Sequence, residues 1–116
     1  MRPTLFLFIV RFMRVKIDPN ELPVEGKGRS IVFKGGVEIA LFCVQGAYYA
    51  IDNICPHEGG PLGEGELDGE IVSCPWHGWQ FDVKNGKCQH LWDENVASYP
   101  VEVVDGEVFV TLPNRT

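Results

Sequence analysis

Four residues in this chain have the types and spacing of metal ligands: Cys55 and His57 in Cys55-Pro56-His57, and Cys74 and His77 in Cys74-Pro75-Trp76-His77. The pattern is C-x-H-x16-C-x-x-H. Two thiolates and two imidazoles suit either tetrahedral zinc or an iron–sulfur centre with mixed ligation. Zinc sites usually pair Cys with Cys and His with His along the chain, whereas here each cluster carries one of each. A two-iron cluster gives that arrangement a reason, because each cluster can send its Cys to one iron and its His to the other.

The elements that must position these ligands read as strands. Arg14 to Ile17 alternates charged and apolar residues, and Arg29 to Phe33 is rich in β-formers. Gly35-Gly36 suits a turn into Val37 to Val44, where Val37, Ile39, Leu41 and Cys43 share one face. Gln45-Gly46 turns the chain into Ala47 to Ile51. Near the C-terminus, Val101 to Val104 and Glu107 to Leu112 flank Asp105-Gly106, a dipeptide fit for a type I′ hairpin. Between these lie a loop from Asn53 to Gly63, a strand from Glu70 to Ser73, a loop from Cys74 to Gly78 and a strand from Trp79 to Asp82. Asn85-Gly86 turns the chain after that. No segment shows sustained helical periodicity. The expected fold is all-β, a small antiparallel barrel or sandwich with a subdomain that brings two ligand loops side by side at one end.

The motifs CPH and CPWHGW resemble those of Rieske-type [2Fe–2S] proteins, in which two His replace two Cys on one iron. The resemblance runs from about Met13 to Leu112 and rests on four ligands, two prolines and several loop glycines. It implies one [2Fe–2S] cluster, with Cys55 and Cys74 on the inner iron and His57 and His77 on the outer iron near solvent. It also implies supporting roles for Pro56, Gly59, Gly60, Pro61, Pro75, Trp76, Gly78 and Trp79. Gly59, Gly60, Gly63 and Gly78 are expected to let backbone N–H groups approach the cluster sulfurs, beside the plainer role of making turns. Trp76 and Trp79 are expected to pack and to shield the site from solvent. Two thiolates and two neutral imidazoles leave an oxidised cluster uncharged where four thiolates would leave a dianion, which raises the potential into the range of about -150 to +300 mV.

The departures from the family's high-potential branch are informative. Cytochrome bc Rieske subunits carry two further cysteines that bridge the loops, and Gly60 and Trp76 stand in their places. Trp79 and Phe81 replace the serine and tyrosine that donate hydrogen bonds to the cluster and its Cys ligand in that branch. Fewer donors stabilise the reduced cluster less, so a low potential is expected. Within the family the chain most resembles soluble ferredoxins that pass electrons from a flavin reductase to an aromatic-ring-hydroxylating oxygenase. It would then be a carrier without substrate chemistry of its own. The alternatives are the small subunit of an NAD(P)H nitrite reductase, partnered by its large subunit, and a zinc-stabilised binding module.

Bulk properties agree with one globular domain of 116 residues, 45% hydrophobic and 22% charged. The net charge of -6 argues against nucleic acid as a partner. All ten Lys and Arg lie outside residues 35 to 83, a span with eight acids: Glu38, Asp52, Glu58, Glu64, Glu66, Asp68, Glu70 and Asp82. A negative field around the ligand loops steers a basic partner towards them. The apolar run Leu5 to Val10 is too short to span a bilayer and lacks a signal-peptide cleavage site, so no transmembrane segment and a cytoplasmic location are expected. Residues 1–12 read as an upstream extension and residues 13–116 as the Rieske domain. Cys43 reads as a small buried hydrophobe and His90 as a loop histidine, and Cys88 has no evident partner.

Overall fold

The computed structural model describes residues 11–57, 59–90 and 94–114. Ten strands form three antiparallel sheets. The first sheet joins β1 (Arg11–Lys16), β10 (Glu107–Asn114) and β9 (Val101–Val104), in the order β1-β10-β9. The second joins β2 (Gly28–Val32), β3 (Glu38–Val44), β4 (Ala47–Asp52) and the two-residue β8 (Ser98–Tyr99), in that order. The third is the ligand-bearing meander of β5 (Glu66–Asp68), β6 (Ile71–Ser73) and β7 (Gln80–Asp82). The expected all-β sandwich is therefore found, as packed open sheets rather than a closed barrel. No helix among the described residues is long and apolar enough to cross a membrane. The run Leu5 to Val10 lies outside the described residues, and β1 takes in Arg11 and Phe12 from the stretch read as an extension.

Strand β3 is the wall on which the molecule is built. Its residues from Ile39 to Val44 are all buried, and alternation sends them to two separate cores. Ile39 and Leu41 join Ile17, Ile31, Ala50, Val108, Val110 and Leu112 between the first and second sheets. Ala40, Phe42 and Val44 face the other way, towards Ile51, Leu62, Val72, Phe81 and the two cysteines Cys55 and Cys74. The sequence pattern suggested one apolar face for this strand. It has two, because a strand covered on both sides reads as a continuous apolar run with no polar alternation.

Local turn chemistry closes the hairpins. Asp105 and Gly106 both have positive φ, 52° and 80°, as a type I′ turn requires, and Gln45-Gly46 adopts the same signs at 52° and 81°. Glu25 caps the second of these turns: its carboxylate accepts from the N–H groups of Gln45 at 2.5 Å and Gly46 at 2.8 Å. Those backbone bonds hold its pKa below the ordinary carboxylate value. The same carboxylate accepts a long contact from the Cys43 thiol at 3.7 Å. Burial, with this negative neighbour, pushes the Cys43 thiol up, so Cys43 stays neutral, as befits a small buried hydrophobe.

Candidate metal centre

The two ligand clusters sit on loops leaving the second core. The first follows β4 and runs into a 3-10 turn over Leu62–Glu64; the second joins β6 to β7. Cys55 and Cys74 are 1% and 4% exposed and lie within the core, while His57 and His77 are exposed. The four residues are thus sorted by depth, thiols inside and imidazoles outside. The two imidazole rings approach with centroids 5.5 Å apart and planes at 74°.

Both loops use one backbone frame. The carbonyl of Cys55 accepts from Gly59 N–H at 2.8 Å, and Cys55 N–H donates to the Gly60 carbonyl at 2.9 Å. The carbonyl of Cys74 accepts from Gly78 N–H at 2.9 Å, and Cys74 N–H donates to the Trp79 carbonyl at 2.7 Å. Gly59 and Gly78 hold matching positive φ angles, 83° and 75°. The unequal spacing of the ligands therefore does not mean unequal turns. His occupies the second position after Cys in one frame and the third in the other.

These bonds show the turn-making role of two of the glycines. The N–H groups of Gly59 and Gly78 close the turns. Gly63 packs on β2: its N–H donates to Asn53 Oδ1 at 2.8 Å, and a Cβ there would meet the β2 backbone at Ser30 N, 2.5 Å away. Gly60 is the glycine that the thiols require. A Cβ on it would stand 2.6 Å from Cys74 Sγ and 3.0 Å from Trp76 Cγ. Gly60 and Trp76, which occupy the positions of the bridging cysteines in the high-potential branch, therefore face each other across the loops. None of the four cysteines forms a disulfide.

The two tryptophans play different parts. Trp79 is half-buried against the second core and stacks on His57, with centroids 4.3 Å apart and planes 11° from parallel. It covers one face of that imidazole. Trp76 is 57% exposed and shields little; its indole rests beside Gly60, and Pro56 and Pro75 on the two loops are exposed as well. Pro61 is half-buried and forms an isolated bridge with Ile54.

Two residues outside the motifs support the site. Asn53 is the one buried polar or charged residue among those described. Its Oδ1 accepts from Ser30 Oγ at 2.9 Å and from Gly63 N–H, and its Nδ2 donates to Glu38 Oε1 at 3.1 Å. The first loop is thereby tied to β2 and β3. His90 lies beside Trp79, with centroids 5.9 Å apart, and its Nε2 accepts from Gln80 N–H at 3.2 Å. Cys88 is half-buried against the second core, where its N–H donates to Asn95 Oδ1 at 2.9 Å. Neither Asn53 nor His90 carries a local sequence signal for these roles, since their partners are set by the fold.

The donor set and its layout fit a two-iron cluster. Among the described residues no three His, Cys, Asp or Glu side chains gather as ligands of one ion. A [2Fe–2S] cluster asks each iron for only two protein ligands. Two core-held thiols beside two exposed imidazoles would match that demand, and the missing Cβ of Gly60 leaves room at Cys74 Sγ.

Comparison with known proteins agrees. The profile of the Rieske [2Fe–2S] domain matches residues 14–100. The ferredoxin component of a p-cumate 2,3-dioxygenase system from Pseudomonas putida is 38% identical over 90 residues, 76% of each chain. A chain from the complex of reduced oxygenase and oxidised ferredoxin in carbazole 1,9a-dioxygenase superposes with a TM-score of 0.75 at 31% identity, over 83% of this chain and 99% of that one. An NAD(P)H nitrite reductase from Emericella nidulans is 34% identical over 90 residues, 69% of this chain but 8% of that enzyme.

Proposed function

The chain belongs to the Rieske [2Fe–2S] domain family, and on that premise we propose that it ferries single electrons from a flavin reductase to a terminal aromatic-ring-hydroxylating oxygenase in the cytoplasm. In this reading Cys55 and Cys74 hold the inner iron, and His57 and His77 hold the outer one. The observation that carries it is the sorting by depth, buried thiols below exposed imidazoles, on a chain similar along most of its length to dioxygenase ferredoxins. Held by these four residues, a [2Fe–2S] cluster would supply one-electron redox chemistry.

The protein's own residues do the rest. Thiols embedded in the core give the cluster a fixed seat, which keeps its geometry alike in both charge states. The exposed imidazoles bring the outer iron within a short distance of any partner that covers the tip. Trp76, Pro56 and Pro75 give that tip an apolar floor, while exposed Glu64, Glu66 and Asp68 lie on the loop and strand that follow. An apolar patch near acids suits brief docking with a basic-rimmed partner. Phe81 is fully buried and has no hydroxyl to give, and Trp79 offers an indole face where the high-potential branch has a donor. This supports a midpoint near the bottom of the Rieske range, about -150 mV.

The test is anaerobic reconstitution with iron and sulfide, electron paramagnetic resonance of the reduced protein, redox titration, and then turnover with candidate partners. Two irons and two sulfides per chain, a low midpoint and reductase-dependent oxygenase turnover are expected. One zinc and no sulfide would sink the cluster assignment. A midpoint above about +100 mV on the Rieske scale would sink the low-potential reading. Turnover with a nitrite reductase large subunit and with no oxygenase would reassign the partner.

A further inference from the structure

Beyond the four ligands, an unbroken series of ring contacts leads away from the site. His77 meets His57 edge-on, His57 stacks on Trp79, and Trp79 abuts His90, with centroid separations of 5.5, 4.3 and 5.9 Å. His90 lies outside the CPWHGW motif, and Trp79 closes that motif without being one of the four proposed ligands. We propose that they form a wedge that sets the ring plane of His57 and thereby its electronic coupling to the outer iron. The inference rests on the ligand assignment above and adds to it two positioning residues.

A ligand imidazole is anchored through one nitrogen and retains rotation about its side-chain torsions, and an exposed ring has few packing contacts to choose among the rotamers. His57 is exposed, yet its ring lies 11° from parallel to an indole at stacking distance. Rotation of the imidazole out of that plane breaks the stack. The indole can act as a stop only if it is itself held, and it is held on several sides. Its body packs on the second core. Its carbonyl accepts from Cys74 N–H at 2.7 Å, which ties it to the backbone of a thiol ligand. The next residue, Gln80, donates its N–H to His90 Nε2 at 3.2 Å and accepts from Gln89 N–H at 2.9 Å.

The part played by His90 follows from that bond. An acceptor Nε2 leaves the proton of the neutral ring on Nδ1. The bond pins the imidazole beside the strand from which the indole springs, and the ring then closes on Trp79 at 51°. Tilted and stacked ring pairs are both favoured arrangements of aromatic groups. The order is therefore backbone of β7, ring of His90, ring of Trp79, ring of His57.

A role in packing alone would change stability without touching the cluster's electronic structure, so the decisive readout is spectroscopic. In the reduced, reconstituted protein the two ligand imidazoles give separate nitrogen hyperfine couplings. W79L should alter one of the two couplings and broaden the resonance, and it should release iron to a chelator about two- to tenfold faster, the size of one ring stack. W79F keeps an aromatic face and should restore both towards wild type. H90A, at an exposed position outside the ligand loops, should shift the same coupling by less. Unchanged couplings in W79L and H90A overturn the wedge, as does a W79F protein that deviates as far as W79L. Should W79L fail to fold, unchanged couplings in H90A overturn it alone. A wild-type chain that takes up no two-iron cluster overturns the ligand assignment and the wedge with it; a normal wild-type cluster with indifferent variants overturns the wedge only.

Discussion

The first and second ligand loops share a backbone frame and differ in the residue five places after the cysteine: Gly60 in one, Trp79 in the other. Each of these residues serves the opposite loop. Gly60 leaves room for the Cys74 thiol and the Trp76 ring, and Trp79 covers the ring of His57. The loops are thus cross-braced, with the smallest side chain placed where a sulfur must pass and the largest where an exposed imidazole needs a wall. Two copies of one turn become a site with an inside and an outside because the fifth position is not repeated.

The sharpest way to break this comparison is to give the first loop a methyl group. Gly60→Ala puts a carbon 2.6 Å from Cys74 Sγ, and neither atom has free space to move into, since Cys74 is buried. Overpacking of this kind costs about 1–3 kcal/mol, and here it falls on a proposed ligand. Iron per chain after reconstitution should drop to a small fraction of wild type. Next in size is Asn53→Ala, which touches the first loop only. It removes three side-chain bonds, among them the one accepted from the Gly63 N–H. Leaving a buried donor unsatisfied costs about 1–3 kcal/mol. Amide exchange should speed up across residues 55–65 and hardly change across residues 74–79. Equal loosening of both loops would show that they fold as one unit.

How much of this was visible beforehand depended on whether a feature is local. The candidate ligands Cys55, His57, Cys74 and His77, and turns such as Asp105-Gly106, declare themselves through residue type and near-neighbour spacing. The central strand misled because Ala40, Phe42 and Val44 are as apolar as Ile39 and Leu41, so no alternation marked its two covered faces. The pairing of β1 with β10 joins the two ends of the described chain and has no local trace. Asn53 looked like an ordinary loop residue because its partners Ser30, Glu38 and Gly63 lie 23, 15 and 10 positions away. The glycines were recognised as necessary, but which need each one meets, positive φ at Gly59 and Gly78 or close approach at Gly60 and Gly63, is set by what the fold places beside it.

Gly59 and Gly78 allow the shared frame itself to be tested. A Cβ on either meets nothing within 4 Å, so Gly59→Ala and Gly78→Ala should cost only the backbone strain of a left-handed residue, about 1–2 kcal/mol each. If the two turns are equivalent, the two losses, measured by denaturant unfolding of the holoprotein, should agree to within about 0.5 kcal/mol. A markedly larger loss at one of them would mean that the frames differ in more than the fifth residue.

The smallest effect on the fold should come from Trp76→Ala. The indole is 57% exposed, and an exposed substitution of this kind usually shifts stability by less than about 0.5 kcal/mol. Its consequence belongs outside the chain. A large apolar ring exposed on the second loop has the character of an interface anchor, and tryptophan is enriched among residues whose truncation costs about 2 kcal/mol or more of binding. Electron transfer to the terminal partner should therefore need at least about tenfold more carrier for half-maximal rate, with the midpoint potential and thermal stability close to wild type. Trp79→Leu should do the reverse, disturbing the cluster's spectrum more than partner affinity. If both tryptophan variants disturbed the same quantity, the division between an inward wall and an outward anchor would be wrong, and the cross-brace would have to be read as one continuous apolar cap over the site.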